Sequence, residues 1–284
     1  MAIENEAGAV LLKCGSWTAV VIPQVGMNLS SIEHEGRELL RKPSSLEELK
    51  ENSVIFGNPL QLPANRTEQA RFTFDGRSYE LPMTEPARFN NLHGELHRSS
   101  FKITEQDEKH VTASYENCGE IYPFPFQAEV KISVSGDGVT EHVTIKNTGN
   151  SDMPLAFGMH TMFNEPECFS VPLEKLWEVN EYYIPTGRLR ALTEKERRYT
   201  TGATAHNEKV TGFFKGAGHT AHIGNVEYTV SDNFDCWVLW NREGRDGFLA
   251  IEPQQGAVNA LNNGFGLIRL KPGESEQFTV SFKE

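Results

Sequence analysis

From Ala128 to Val134 apolar and polar residues alternate without a break. Ala128, Val130, Ile132 and Val134 fall on one parity, and Glu129, Lys131 and Ser133 fall on the other. A period of two puts every second side chain on one face of an extended chain, so this stretch predicts a strand with one buried and one wet face. Gly136-Asp137-Gly138 follows, and then Val139, Val143 and Ile145 alternate with Thr140, His142 and Thr144. Two alternating runs around a glycine-rich turn predict a β-hairpin. Phe278, Val280 and Phe282 repeat the pattern after a Pro272-Gly273 turn, and the segment Trp17–Ile22 is rich in β-branched residues and stops at Pro23.

Helical signal is scarce. Ser45-Leu46-Glu47-Glu48 has the form of a capping box and predicts one short helix through Glu51. Residues 193–198 predict a second short turn or helix. There is no long amphipathic helix and no βαβ rhythm. Many short strands with glycine and proline punctuation predict an all-β sandwich or barrel. Residues 1–284 are expected to form a single unit, since large β domains reach this size and no composition shift marks a linker. The most polar stretch, residues 192–209, reads as a surface excursion.

Charge narrows the choice of partner. Lys plus Arg is 27 and Asp plus Glu is 39, giving a net charge of −12. Such a surface repels phosphate backbones and anionic lipid, so neither nucleic acid nor a membrane is expected as a partner. A neutral sugar is not disfavoured, and a local basic pocket could still hold a sugar phosphate. The chain starts on an acidic segment with no secretory signal pattern, and its four scattered cysteines form no C-x-x-C pair. A cytoplasmic protein with reduced thiols is expected.

Four fragments carry candidate chemistry. Asn65-Arg66 ends an irregular loop with a fork of donors suited to hydroxyl or carboxylate oxygens, although a plain ion pair would use the same arginine. In Asn91-Leu92-His93-Gly94 the glycine allows close backbone approach or a positive φ beside the imidazole. His93 and His97 are four apart, but on a strand that is roughly 13 Å. No metal site is expected there, and no cofactor. His160 sits in an apolar strand-like segment, where it could be a satisfied core histidine or a general acid tuned by burial. Glu252 ends the apolar run Phe248-Leu249-Ala250-Ile251, and a carboxylate is rarely placed there unless paired or functional. Pro253 is expected to end the ladder and project Glu252 into a cavity as a general base.

These fragments, in this order, resemble the aldose 1-epimerase (galactose mutarotase-like) family. Supporting pieces are Tyr122-Pro123-Phe124, Ile184-Pro185-Thr186-Gly187 and Leu270-Lys271-Pro272-Gly273-Glu274. The resemblance covers nearly the whole chain. It implies a large antiparallel β-sandwich with one or two short helices and an open face for the sugar. It further implies Glu252 as general base, His160 as general acid, His93 as a second histidine that orients the sugar, and Arg66 with Asn65 as binding residues. The implied substrate is a monosaccharide, free or phosphorylated, handled by a monomer or homodimer.

Two departures from the family pattern stand out. Lys209-Val210-Thr211-Gly212-Phe213-Phe214 has no carboxylate where relatives carry a hydroxyl-binding aspartate, and Phe101 takes the place of an aromatic that is often tryptophan. A sugar-binding module without turnover is therefore the alternative function. A lyase or hydrolase would need a second carboxylate near Glu252, or Tyr122 or Tyr183 as base.

Overall fold

A computed structural model describes residues 3–284. The alternating run lies in strand Phe126–Ser135, hydrogen-bonded to strand Gly138–Asn147 as a hairpin with Val130 opposite Val143. Strand Ser275–Lys283 continues the sheet on the far side of Gly138–Asn147. The predicted parity holds, since Ala128, Val130, Ile132 and Val134 are all buried. The alternation also conceals an exception. Glu141 takes a core position between Val139 and Val143 and is fully buried.

This sheet has eight antiparallel strands. A second antiparallel sheet runs in the order Pro185–Ala191, Leu173–Val179, Thr211–Gly216, Cys236–Trp240, Phe248–Gln254, Gly158–Met159, Leu60–Gln61, with Met162–Asn164 also pairing to Phe248–Gln254. The two sheets meet through large apolar side chains. Phe157 packs on Phe278 at 4.5 Å between ring centroids, and Phe163 meets Tyr228 at 5.3 Å. Burying one such side chain contributes about 1.5–3 kcal/mol. A four-stranded sheet formed by Val10–Cys14, Trp17–Ile22, Asn28–His34 and Arg37–Glu38 adds Leu12, Trp17 and Ala19 to the same core. The fold is the antiparallel β-sandwich expected.

Helices are short, as predicted. Leu46–Glu51 begins at Ser45, whose side chain accepts from Glu48 N. Only half of the capping box forms, because the Glu48 carboxylate accepts from Ser44 N and Oγ instead. Glu194–Arg198 begins at Thr193 and has the complete box. The third helix, Ala260–Asn263, carries no sequence signal beyond its closing Gly264. The polar stretch 192–209 is less superficial than expected: Leu192, Tyr199 and Ala205 are buried.

Pro253 does not end its strand. Phe248–Gln254 continues through it, with Pro253 opposite Trp237. Its missing N–H falls on the side facing residues 157–161, where Ile251 N donates to Thr161 O and Gln255 N to Phe157 O. The ladder skips one bond there and resumes. On the other strand, His160 and Thr161 separate the two paired segments Gly158–Met159 and Met162–Asn164. His160 N donates instead to Pro59 O. The sheet thus opens locally where both candidate proton-transferring side chains sit.

Candidate active site

The register of the second sheet builds one wall. Phe213, Val238 and Glu252 are direct cross-strand partners in sequence, and Thr211, Trp240 and Ala250 form the next row. Side chains of one row share a face. Leu239, Ile251 and Trp237 point the other way into the core. The wall is therefore apolar except for the hydroxyl of Thr211 and the buried carboxylate of Glu252.

A ribbon outside the sheet supplies the polar groups. Strand Arg66–Glu68 pairs with Asn90–Leu92, with Arg66 opposite Leu92. The residues flanking that pair, Asn65 and His93, are then joined by His93 N donating to Asn65 O at 2.7 Å. Asn65, His93 and Gly94 all have positive φ. Gly94 is obligatory, since a Cβ there would sit 1.9 Å from Leu62 O. The glycine thus provides both the close approach and the positive φ read from the sequence.

Glu252, His160, His93, Arg66 and Asn65 line one cavity of about 690 Å³. His160 Nε2 lies 3.4 Å from Glu252 Oε1, with the side chains only 5% and 2% exposed. The His93 and His160 rings meet edge to face at 4.9 Å. Gln61 joins the three. Its Nε2 donates to Glu252 Oε2 at 3.2 Å, and its Oε1 accepts from Asn65 N and contacts His93 Nδ1 at 3.0 Å. An acceptor at that oxygen requires the hydrogen on Nδ1, which leaves His93 Nε2 with a free lone pair. Arg66 is held by Glu85 through Nε and Nη2 and by Asn65 Oδ1 through Nη1. Arg66 thus makes an ion pair and also lines the cavity.

Burial sets the charges. Desolvation pushes the Glu252 carboxyl up to about 8, against the hydrogen bond from Gln61 and the nearby Arg66 charge. Desolvation pushes the His160 imidazole down to about 3. His93 is likewise held well below its ordinary value by burial, with His160 and Arg66 adding to the effect. Burial thus favours the protonated carboxyl at Glu252 and the neutral imidazole at both histidines.

Several neighbours were not anticipated. Gln61 and Glu85 lie in loops and short strands with no local signal of chemistry. Behind the site, Thr161 Oγ1 donates to Asn58 Oδ1 and contacts Tyr228 Oη, and Asn58 Nδ2 donates to Glu141 Oε2. This buried chain ties the residue after His160 to the opposite sheet. Glu141 could have been found by the logic that singled out Glu252, a carboxylate on an apolar parity.

Other expectations are corrected. Phe101 does not line the cavity but packs on Tyr115 at 5.6 Å, and Trp240, Phe213 and Tyr183 are the aromatic side chains present. Tyr122 is buried and donates to Pro154 O, remote from any role as a base. Of the other carboxylates lining the cavity, Glu85 is already paired with Arg66 and Arg88, and Glu243 with Lys209. His97 is a buried structural histidine, its Nδ1 against Ser53 Oγ and its Nε2 against Gly94 O. Among the described residues no cluster of three or more His, Cys, Asp or Glu could hold a metal ion. All four cysteines are free, and no described helix is long and apolar enough to cross a membrane.

Known proteins share this architecture. A galactose mutarotase-like protein from Clostridium acetobutylicum superposes with a TM-score of 0.89 at 23% identity, covering 96% of this chain and 94% of that one. A galactose 1-epimerase from Lactobacillus acidophilus NCFM gives 0.78 at 14% identity, covering 100% and 97%. The uncharacterized protein YihR of Escherichia coli (strain K12) is 24% identical over 283 residues, which is 93% of this chain and 89% of that protein. The family pattern named aldose 1-epimerase matches residues 9–283, and the chain belongs to that family.

Proposed function

We propose that the protein is a mutarotase that interconverts the α and β anomers of an aldose, with Glu252 as general base and His160 as general acid. The observation that carries this reading is the 3.4 Å contact between the two groups inside one cavity. Both can reach a single monosaccharide. Moving the carboxyl proton from Glu252 to His160 Nε2 converts the resting neutral pair into carboxylate and imidazolium. The hydroxyl groups of a bound sugar supply hydrogen bonds that favour this charged form.

Ring opening then balances. Glu252 takes the proton of the anomeric hydroxyl, the C1–O5 bond breaks, and His160 gives its proton to the ring oxygen. The products are the open-chain aldehyde and the neutral pair. Rotation about C1–C2 presents the other aldehyde face. Reclosure returns one proton to the C1 oxygen from Glu252 and one from the C5 hydroxyl to His160. Positioned acid and base groups of this kind contribute about 10²–10⁴-fold. His93, with its Nε2 lone pair free, accepts a sugar hydroxyl, while Arg66 and Asn65 donate and accept at others. Trp240 gives an apolar face for pyranose C–H bonds.

Polarimetry or NMR of freshly dissolved α-glucose and α-galactose tests the reading. Acceleration over the buffer blank is expected, and Glu252→Gln should abolish it; equal rates in variant and parent would remove Glu252 from this role. Cationic side chains lining the cavity, Arg66, Arg88, Arg98, Lys209 and Arg242, outnumber its carboxylates Glu85, Glu95, Glu243 and Glu252. The sugar 6-phosphates therefore belong in the same screen.

A further inference from the structure

Beside the catalytic cavity lies a second one, of about 500 Å³, whose walls include Gln69, Leu81, Met83, Phe89, Asn90 and Tyr182. Its size suits a single small-molecule ring rather than a macromolecular surface. We propose that it is a second carbohydrate subsite, which takes the non-reducing ring of a reducing disaccharide whose reducing ring occupies the cavity of Glu252 and His160. The proposal rests on the mutarotase reading for the second half of that statement.

Four features point to a neutral sugar ring. The first is apolar area left in water. Phe89 is 59% exposed, Met83 44% and Tyr182 38%, and the Phe89 and Tyr182 rings meet edge to face at 6.3 Å. Two rings at an angle form a corner on which the C–H face of a pyranose can rest. The second is a buried acceptor with nothing to accept. Asn90 is fully buried, and its Nδ2 donates to Glu85 Oε2 and to Tyr182 O, yet its Oδ1 has no partner. An unpaired buried oxygen costs about 1–3 kcal/mol, and a ligand hydroxyl would satisfy it after a small shift of the lining, since the atom is covered in the present arrangement. The third is charge balance. The lining acids Glu68 and Glu80 are matched by Arg71 and Arg88, which selects neither anions nor cations.

The fourth is backbone strain. Gln69, Ala70 and Phe89 all have positive φ, at 53°, 51° and 59°. For a side chain as bulky as phenylalanine this conformation is uncommon. It turns the ring outward at the cost of local strain, of the kind that concentrates at ligand clamps.

The two cavities are joined by shared residues. Arg88 lines both, and the consecutive tyrosines divide between them, Tyr182 lining the second and Tyr183 the first. Glu85 binds Arg88 on one side and Arg66 on the other. A ligand that crosses this divide contacts one hydrogen-bonded unit rather than two unrelated surfaces.

The experiment compares glucose with maltose, cellobiose, lactose and melibiose, all of which present glucose as the reducing ring. Mutarotation kcat/KM is measured for the parent, for Phe89→Asn and for Tyr182→Ser. Asparagine tolerates the positive φ at position 89, and both residues are exposed, so folding is preserved. At least one disaccharide is expected to be turned over about tenfold more efficiently than glucose by the parent. Phe89→Asn and Tyr182→Ser should each remove that advantage and leave glucose unchanged. A parent that prefers glucose to every disaccharide overturns the proposal, as does a variant that slows glucose and disaccharide alike. If no sugar is turned over, the mutarotase reading fails and calorimetry decides the subsite. Disaccharide affinity about tenfold weaker in Phe89→Asn than in the parent sustains it; equal affinity, or no binding by the parent, overturns it.

Discussion

Replacing Glu141 with glutamine should cost the protein stability in mild acid and give a net gain at alkaline pH. Glu141 is fully buried between the sheets; Asn58 Nδ2 donates to its Oε2, and its Oε1 has no partner. Desolvation holds its carboxyl at about 8, against an ordinary value of 4.5. Below pH 4.5 the group is protonated in both folded and unfolded chains and has no pH-linked effect. Between 4.5 and 8 the folded chain keeps a proton that the unfolded chain releases, so stability falls by about 1.4 kcal/mol per pH unit. The loss reaches about 5 kcal/mol at pH 8, where it levels off. Glutamine is isosteric, accepts the Asn58 hydrogen bond through its oxygen, and has no proton to lose. Its amide nitrogen takes the place of Oε1, which has no partner, so its hydrogens are unpaired, a cost of about 1–3 kcal/mol that does not vary with pH. The quantity to measure is therefore the slope. Urea unfolding of parent and Glu141→Gln from pH 5 to 8 should give a stability difference that moves by about 4 kcal/mol in favour of the variant. Other buried carboxyls affect both proteins equally and cancel. A difference constant across that range would show that Glu141 ionises inside the fold without penalty, and would refute the reasoning.

Two further outcomes concern the site. The Glu252–His160 pair needs its single proton, so kcat/KM should hold level through neutral pH and fall as pH rises past about 8. An acid limb should be absent down to the region of His160's own value, about 3; a one-proton acid limb between pH 6 and 7 would contradict the assignment. Gln61→Leu removes the donor to Glu252 and the acceptor for His93 Nδ1. It should lower kcat/KM by about 10–100-fold and move the alkaline limb upward, because the Gln61 hydrogen bond lowers the Glu252 value; an unmoved limb would show that the bond does not act on the carboxyl.

The sandwich was legible because alternation is local. Ala128 to Val134 announces its buried face without any knowledge of the rest of the chain. The buried contact of His160 with Glu252 was legible in part for the same reason, as polar residues in apolar company at 160 and 252. Gln61 was not, since a glutamine becomes a bridge only when distant segments bring a carboxylate and an imidazole to its two ends. Pro253 was misjudged because its meaning depends on what lies across the ladder. A missing N–H ends a strand only where a partner carbonyl awaits it, and here residues 158–162 already diverge. Phe101 was matched to the family's aromatic by its order in the chain alone, and the fold packs it on Tyr115 away from the cavity lining.

The unlike origins of the cavity's surfaces bear on what it can discriminate. Phe213, Val238 and Trp240 come from the large sheet, whereas Asn65, Arg66 and His93 come from a two-stranded ribbon flanked by the left-handed residues Asn65 and His93. A pyranose also has two unlike sides, one greasy and one bristling with hydroxyls, and which groups point where differs between epimers at C2, C3 and C4. An enclosure of this kind can sort sugars by that stereochemical signature. A mutarotase would gain nothing by sorting anomers, because they differ only at the carbon whose configuration it must leave free to invert.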